Sequence, residues 1–250
     1  MPKARVLTVA AALIALTAGA SPASATTPAA VSSPTEDGAI VALSDEVTFT
    51  TWAHPEVGGA IRVAPAPRAR VVARVRLYTE DGFPEVYPLL SAYLDPAGRE
   101  WVRIRIPGRP NGRTGWMLRE LLGAFHRTHW RLVVNRARRR MSVYYDGRLR
   151  RVFPVGVGKP STPTPPGRFW LRERFRLGGR DNPYGPYALG TSDYSTLSEW
   201  PGGGVVGIHG DFGEPRTIPG DPSHGCIRMH DADIGWLGAR VSLGTPVDVV

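Results

Sequence analysis

Ser223-His224-Gly225-Cys226-Ile227-Arg228-Met229 contains the only cysteine in this 250-residue chain. His224 lies two positions before the cysteine and Arg228 two after it, while His209 stands seventeen residues upstream in Val-Val-Gly-Ile-His-Gly-Asp-Phe-Gly. A free thiol has a pKa of about 8.5, so it becomes a useful nucleophile only beside a base or in a positive field. Attack on a carbonyl also requires donors for the negative charge that develops on its oxygen. Gly210 and Gly225 follow the two histidines directly. Lacking a side chain, Gly225 allows its own amide and that of Cys226 to approach a substrate oxygen closely. The pattern points to nucleophilic catalysis by Cys226, with His209 or His224 supplying the base.

Two other chemistries compete for these residues. His209, Asp211, His224 and Cys226 are all of zinc-ligating type, but no second cysteine or metal-binding helix motif accompanies them, so no metal is expected. A buried cysteine acting as a small apolar residue is common, yet this one is flanked by histidine and arginine in a glycine-containing segment. His54, His126, His129 and His230 read as structural histidines.

The compartment bears on the cysteine. Lys3 and Arg5 precede an apolar run from Val6 to Ala18, and Ala23-Ser24-Ala25 offers a small-residue cleavage site, so residues 1–25 read as an export signal. The run is shorter than the ~20 apolar residues of a membrane span, and no span is expected once the signal is removed. Exported proteins usually pair their cysteines. An unpaired one points to an intermolecular bridge or a reactive thiol. Without Lys3 and Arg5 the chain keeps 29 basic against 22 acidic side chains, a formal charge of +7. That surface suits an anionic polymer. No zinc-finger spacing or helix-turn-helix pattern is present, so a cell-envelope polymer is expected and nucleic acid is not.

The elements that must position these residues are mainly strands. Residues 26–45, rich in Ala, Ser, Thr and Pro, read as a flexible linker. Beyond them, short alternating runs are punctuated by Gly, Pro and Asp. Examples are Glu46–Ala53, Ala60–Pro65, Arg70–Tyr78, Glu100–Pro107 and Gly112–Met117. A second series follows from Arg131, with an Asp146-Gly147 hairpin turn and a closing Pro-Val-Asp-Val-Val. One helix is expected near Asp231–Val241, with Asp231 as its cap. The 24 prolines and 29 glycines agree with a mostly β chain containing little helix.

Two resemblances sharpen this reading. Residues 46–122, through Ile-Arg-Val-Ala-Pro-Ala-Pro early and Gly115-Trp116 late, resemble a bacterial SH3-like module: a small β-barrel with a longer insertion than usual at about 77–98. Residues 129–250 resemble the YkuD-type L,D-transpeptidase catalytic domain, a β-sandwich-like fold. The matching motifs are His209 followed by Ser-His-Gly-Cys-Ile-Arg-Met, the Gly-Lys-Pro-Ser-Thr-Pro-Thr-Pro stretch at 158–165, and Asn-Pro-Tyr-Gly-Pro-Tyr-Ala-Leu-Gly at 182–190.

The second resemblance implies roles. Cys226 is the expected nucleophile and His209 the base, its other ring nitrogen held by the Gly210 carbonyl. His224 polarises the site, and the Gly225 and Cys226 amides form the oxyanion hole. Arg228, Ser223 and Gly210 bind substrate, Arg228 by gripping a stem-peptide carboxylate. Tyr187 is a further substrate-contact candidate, as are Tyr184 and Tyr194, with ordinary core packing the alternative for each. Trp200 and the glycines after it read as a flap or turn beside the cleft. Asp211 departs from the Thr or Ser found there in many members.

The implied reaction joins peptidoglycan stem peptides, as donor and acceptor, through a Cys226 thioester, crosslinking their third residues and releasing D-alanine. No cofactor is needed, carbapenem β-lactams are expected inhibitors, and the location is the cell wall or exterior. Hydrolysis as an L,D-carboxypeptidase, transfer to a protein amine, and an inactive wall-binding protein remain as alternatives.

Overall fold

The computed structural model describes residues 38–178, 182–199 and 201–250. The expected export signal, the linker up to residue 37 and Trp200 lie outside them.

The first half builds one sheet from β1 (Ile40–Ala42), β2 (Thr50–Pro55), β3 (Ala60–Arg62), β4 (Val71–Arg74), β5 (Tyr87–Leu94), β6 (Glu100–Arg105), β7 (Thr114–Leu118) and β8 (Leu122–Thr128). Their order is β4-β3-β7-β6-β5-β2-β8, with β1 on β5. Two sequence expectations change here. The linker was expected to run to residue 45, but Ile40–Ala42 pairs with Ser91–Tyr93, and Leu43 behind it is buried. A short Ile-Val-Ala-Leu run can complete a sheet even beside a low-complexity stretch. The supposed insertion at 77–98 supplies β5, which pairs with β1, β2 and β6. Its Tyr-Pro-Leu-Leu-Ser-Ala-Tyr-Leu pattern lacks strict alternation because Tyr87, Pro88 and Leu89 are all buried.

The second half is a ten-stranded sheet. It comprises β9 (Trp130–Asn135), β10 (Arg140–Tyr145), β11 (Arg148–Pro154), β12 (Gly156–Gly158), β13 (Gly167–Arg176), β14 (Tyr187–Tyr194), β15 (Val205–His209), β16 (Gly220–Ser223), β17 (Ile227–Arg228) and β18 (Pro246–Val249), with α1 (Asp231–Gly238) before the last strand. The order is β11-β10-β9-β18-β13-β14-β15-β17-β12-β16. Asp146 and Gly147 both take positive φ, +50° and +69°, as the tight hairpin turn requires. The helix buries Ile234 and Leu237, but its N-cap is His230; the Asp231 carboxylate instead accepts the Asp211 N–H. The mostly β architecture with little helix agrees with the sequence reading.

A single residue, His129, separates β8 from β9, and the two sheets share an interface. Trp52, Val86 and Trp170 form a buried cluster across it, and Trp170 Nε1 donates to the Val86 carbonyl at 2.7 Å. Beside them Arg172 lies 2% exposed and grips Glu85, itself fully buried, through two hydrogen bonds of 2.7 and 2.6 Å. Glu80 and the Tyr194 hydroxyl complete the shell around the guanidinium.

Breaking a buried ion pair from one side leaves an uncompensated charge, at a typical cost of about 3–5 kcal/mol. Glu85→Ala should therefore lower urea-unfolding stability by that order. The double variant Glu85→Leu/Arg172→Met should be markedly milder, because neither charge remains.

Candidate active site

The site is organised by β15 and β17, which run parallel with Ile208 opposite Ile227 and His209 opposite Arg228. One step back in that register, Gly207 faces Cys226, and the Gly207 N–H donates to Cys226 Sγ at 3.4 Å. Gly207 and His209 share a face of β15, since side chains alternate along a strand. A Cβ on Gly207 would lie 3.8 Å from His209 Cδ2. Cys226, His209, His224, Gly225, Arg228, Ser223, Tyr184 and Ser195 line one cleft of about 210 Å³.

His209 is only 4% exposed, and its Nδ1–H donates to the Gly210 carbonyl at 2.8 Å. That bond leaves Nε2 of the neutral ring as the acceptor. The rings of Tyr184 and Phe212 stand 5.1 and 5.0 Å from the imidazole. Met229 N–H donates to the His209 carbonyl at 2.8 Å, tying the strand end to the segment entering α1. Gly210 is confined: a Cβ there would fall 2.2 Å from Asp231 Oδ1.

Burial pulls the His209 imidazole down to about 4; the Gly210 carbonyl opposes this and the Arg228 charge adds to it. Burial likewise pushes the Cys226 thiol up, partly offset by the Gly207 N–H and Arg228, while Asp193 adds to the rise. At neutral pH the resting pair is therefore thiol and neutral imidazole, so attack by sulfur requires proton transfer to a base.

The cysteine turn is fixed from both sides. Gly225 has φ +132°, a region L side chains rarely adopt. Thr164 Oγ1 donates to the Gly225 carbonyl at 2.7 Å and accepts the Gly158 N–H at 2.9 Å. Ser223 Oγ donates to the Cys226 carbonyl and accepts the Gly225 N–H at 3.1 Å. The Gly225 amide, expected in an oxyanion hole, is thus engaged by Ser223, and Ser223 acts here as a brace of the turn.

Other expectations also shift. Tyr187 lies outside this cleft: its ring packs so closely on α1 that a Cβ on Gly238 would sit 2.3 Å from its Cγ, and Arg174 lies over it. Tyr194 belongs to the ion cluster at the sheet interface, leaving Tyr184 as the one tyrosine of the three beside His209. Arg228 lines the cleft but already holds Glu214 at 2.8 Å and stacks on Phe212. Asp211 accepts the Gly213 N–H, and its other oxygen lies 3.8 Å from His230, so its charge serves the turn after His209.

Sequence reasoning missed three contributors. Phe212 adopts φ +62°, a strained choice for a bulky residue, and its ring bridges His209 and Arg228. Thr164 lies in the Thr-Pro-Thr-Pro run, where only a clamped peptide reveals its use. Lys159 Nζ donates to His224 Nε2 at 2.9 Å. Its signal was present: Lys3 and Lys159 are the only lysines beside 29 arginines.

The buried imidazole gives a pH test. Its folded value, about 4, lies below the ordinary 6.5. The unfolded chain therefore binds the proton first as pH falls, and stability drops between about 6.5 and 4 with no further loss from this group below that. The full shift corresponds to about 3 kcal/mol. NMR should show His209 neutral at pH 5, and His209→Gln should flatten this part of the stability profile. A His209 midpoint near 6.5 would contradict the buried neutral ring.

The second half of the chain is similar to known proteins. Residues 129–249 match the family of the YkuD L,D-transpeptidase catalytic domain. YkuD of Bacillus subtilis is 32% identical over 120 residues, which cover 48% of this chain and 65% of that protein. The chain thus spans just under two thirds of that relative's length. L,D-transpeptidase 1 of Mycobacterium tuberculosis is 29% identical over 120 residues, covering 44% of this chain and 45% of the other. Among solved structures, the ertapenem-acylated catalytic domain of the Enterococcus faecium L,D-transpeptidase is 29% identical; the match covers 48% of this chain and 96% of that one, with a TM-score of 0.38. Residues 129–249, just under half of the chain, carry this likeness to the YkuD L,D-transpeptidase catalytic domain.

Proposed function

We propose that the protein is an exported peptidoglycan L,D-transpeptidase working through a Cys226 thioester. The observation carrying this reading is that Cys226 and His209 line one cleft, with the Gly207 N–H on the sulfur and the histidine tautomer set by the Gly210 carbonyl. As sulfur attacks the carbonyl between the third stem residue and its terminal D-alanine, His209 Nε2 takes the thiol proton. The resulting imidazolium protonates the departing D-alanine amine, leaving the thioester. The side-chain amine of a second stem then attacks that carbonyl; His209 removes its extra proton and returns one to the sulfur as the thioester breaks. The crosslink joins two third residues.

The other cleft residues fit supporting roles. With the Gly225 N–H held by Ser223, charge on the attacked oxygen falls to the Cys226 N–H. Lys159 places positive charge beside His224 at the rim, where a peptide carboxylate would arrive. Arg228 can accept such a carboxylate by exchange with Glu214. Burial of thiol and imidazole keeps both neutral until substrate is present, a resting state suited to a compartment where a stable thiolate would be oxidised.

Incubation with tetrapeptide stems should release D-alanine and yield dimers detectable by mass spectrometry. His209→Ala should lower turnover by about 10²–10⁴-fold with the fold intact. A β-lactam presents a strained carbonyl, so a carbapenem should form one covalent adduct per chain, absent in Cys226→Ala. Free tripeptide without dimers would favour the carboxypeptidase reading. An unmodified thiol and untouched stems would favour a wall-binding protein.

A further inference from the structure

The first sheet reaches the candidate active site through one loop, residues 107–113. Its Arg109 side chain crosses to the second half, where Nη2 donates to the Ser195 carbonyl at 2.7 Å and to the Gly203 carbonyl at 2.9 Å. One guanidinium thereby joins the two ends of the segment that leaves β14 and re-enters at β15. Ser195 N–H donates to the Gly204 carbonyl at 2.9 Å, closing the same junction from within. Two residues further on, the Asn111 amide behaves as a substitute strand. Its Nδ2 donates to the Tyr194 carbonyl at 3.1 Å, and its Oδ1 accepts the Tyr194 N–H at 3.3 Å. The same Nδ2 donates to Asp193 Oδ1 at 2.8 Å.

The segment so held is a wall of the cleft. Ser195 and Gly204 line it with Cys226, and a Cβ on Gly225 would lie 3.4 Å from Ser195 Cβ. Asp193 is 1% exposed with its second oxygen unpartnered. Burial pushes the Asp193 carboxyl up to about 8. Nothing within the second half supplies the contacts that Arg109 and Asn111 make to these groups among the described residues.

We propose that Arg109 and Asn111 are positioning residues for Cys226 chemistry, and that the first sheet completes the active site by holding the Asp193–Ser195 and Gly203–Gly204 wall against the cysteine turn. The inference rests on the proposed acyl transfer for its activity readout, but not for its structural one. It also makes the two sheets one working unit.

The test uses the full chain carrying Asn111→Ala, Arg109→Ala or Arg109→Lys, with Cys226 as the sole thiol. The rate of carbapenem acylation is followed by intact mass, and alkylation by small iodoacetamide is compared with that by a bulky maleimide. The alanine variants should lose acylation rate by 10-fold or more while iodoacetamide reacts within about 2-fold of wild type. Maleimide should gain on iodoacetamide as the wall loosens, and Arg109→Lys should recover part of the acylation rate. Thermal melting identifies any variant that simply unfolds, and the lysine variant then carries the test. Acylation and maleimide rates within 2-fold of wild type in folded variants would overturn the proposal. If wild type is not acylated at all, the function reading fails while the maleimide ratio still decides the positioning role.

Discussion

The hydrogen bond from His209 Nδ1 to the Gly210 carbonyl governs much of the second half. A carbonyl can only accept, so this contact fixes which ring nitrogen carries the proton and leaves the other to receive one. The geometry works only if strand β15 ends at residue 209 and residue 210 bends tightly. Each condition is met by a neighbour, Met229 N–H on the His209 carbonyl and Asp231 pressed against Gly210, while the Gly207 N–H holds the cysteine sulfur. The parallel β15–β17 pairing then delivers the sulfur to the same face. Burial, which makes a charged imidazole expensive, is also what keeps the ring available as an acceptor at neutral pH.

A comparable economy appears at the sheet interface. Arg172 is fully enclosed yet meets Glu85, Glu80 and Tyr194, so a charge that would otherwise be prohibitive becomes a register pin between halves. Tyr194 belongs at once to this cluster and to the strand end that Asn111 holds. The apolar contacts of Trp52, Val86 and Trp170 supply adhesion, and the polar ones supply direction.

Much of the site was legible in the sequence because the chemistry forces rare residue types into short motifs. Cys226, His209 and His224 stand out by identity, and Gly225 by position. What escaped depends on contacts between distant segments. Thr164 looks like another polar residue in a proline-rich loop until its hydroxyl is seen holding the Gly225 carbonyl. Phe212 looks like a core aromatic, and its left-handed backbone has no sequence signature. For Tyr187 the sequence leaves substrate contact and core packing both open, and the close approach of Gly238 shows its ring against the helix. In the first half, β5 was hidden because a strand covered on both faces shows no alternation. The start of the first sheet is hidden because the three residues of β1 are too few for composition to reveal.

The pairing of Arg228 with Glu214 changes what recognition at that arginine can mean. The guanidinium does not wait as a vacant charge; it is occupied by a carboxylate whose side chain is 58% exposed. A carboxylate arriving from outside trades places with one already there, so the number of ion pairs is unchanged. The released glutamate returns to water at small cost because it was never far from it. Such an exchange adds little net attraction, but it rewards a newcomer that can satisfy the planar fork more fully than a lone oxygen does. The contact therefore discriminates by shape among anions of equal charge.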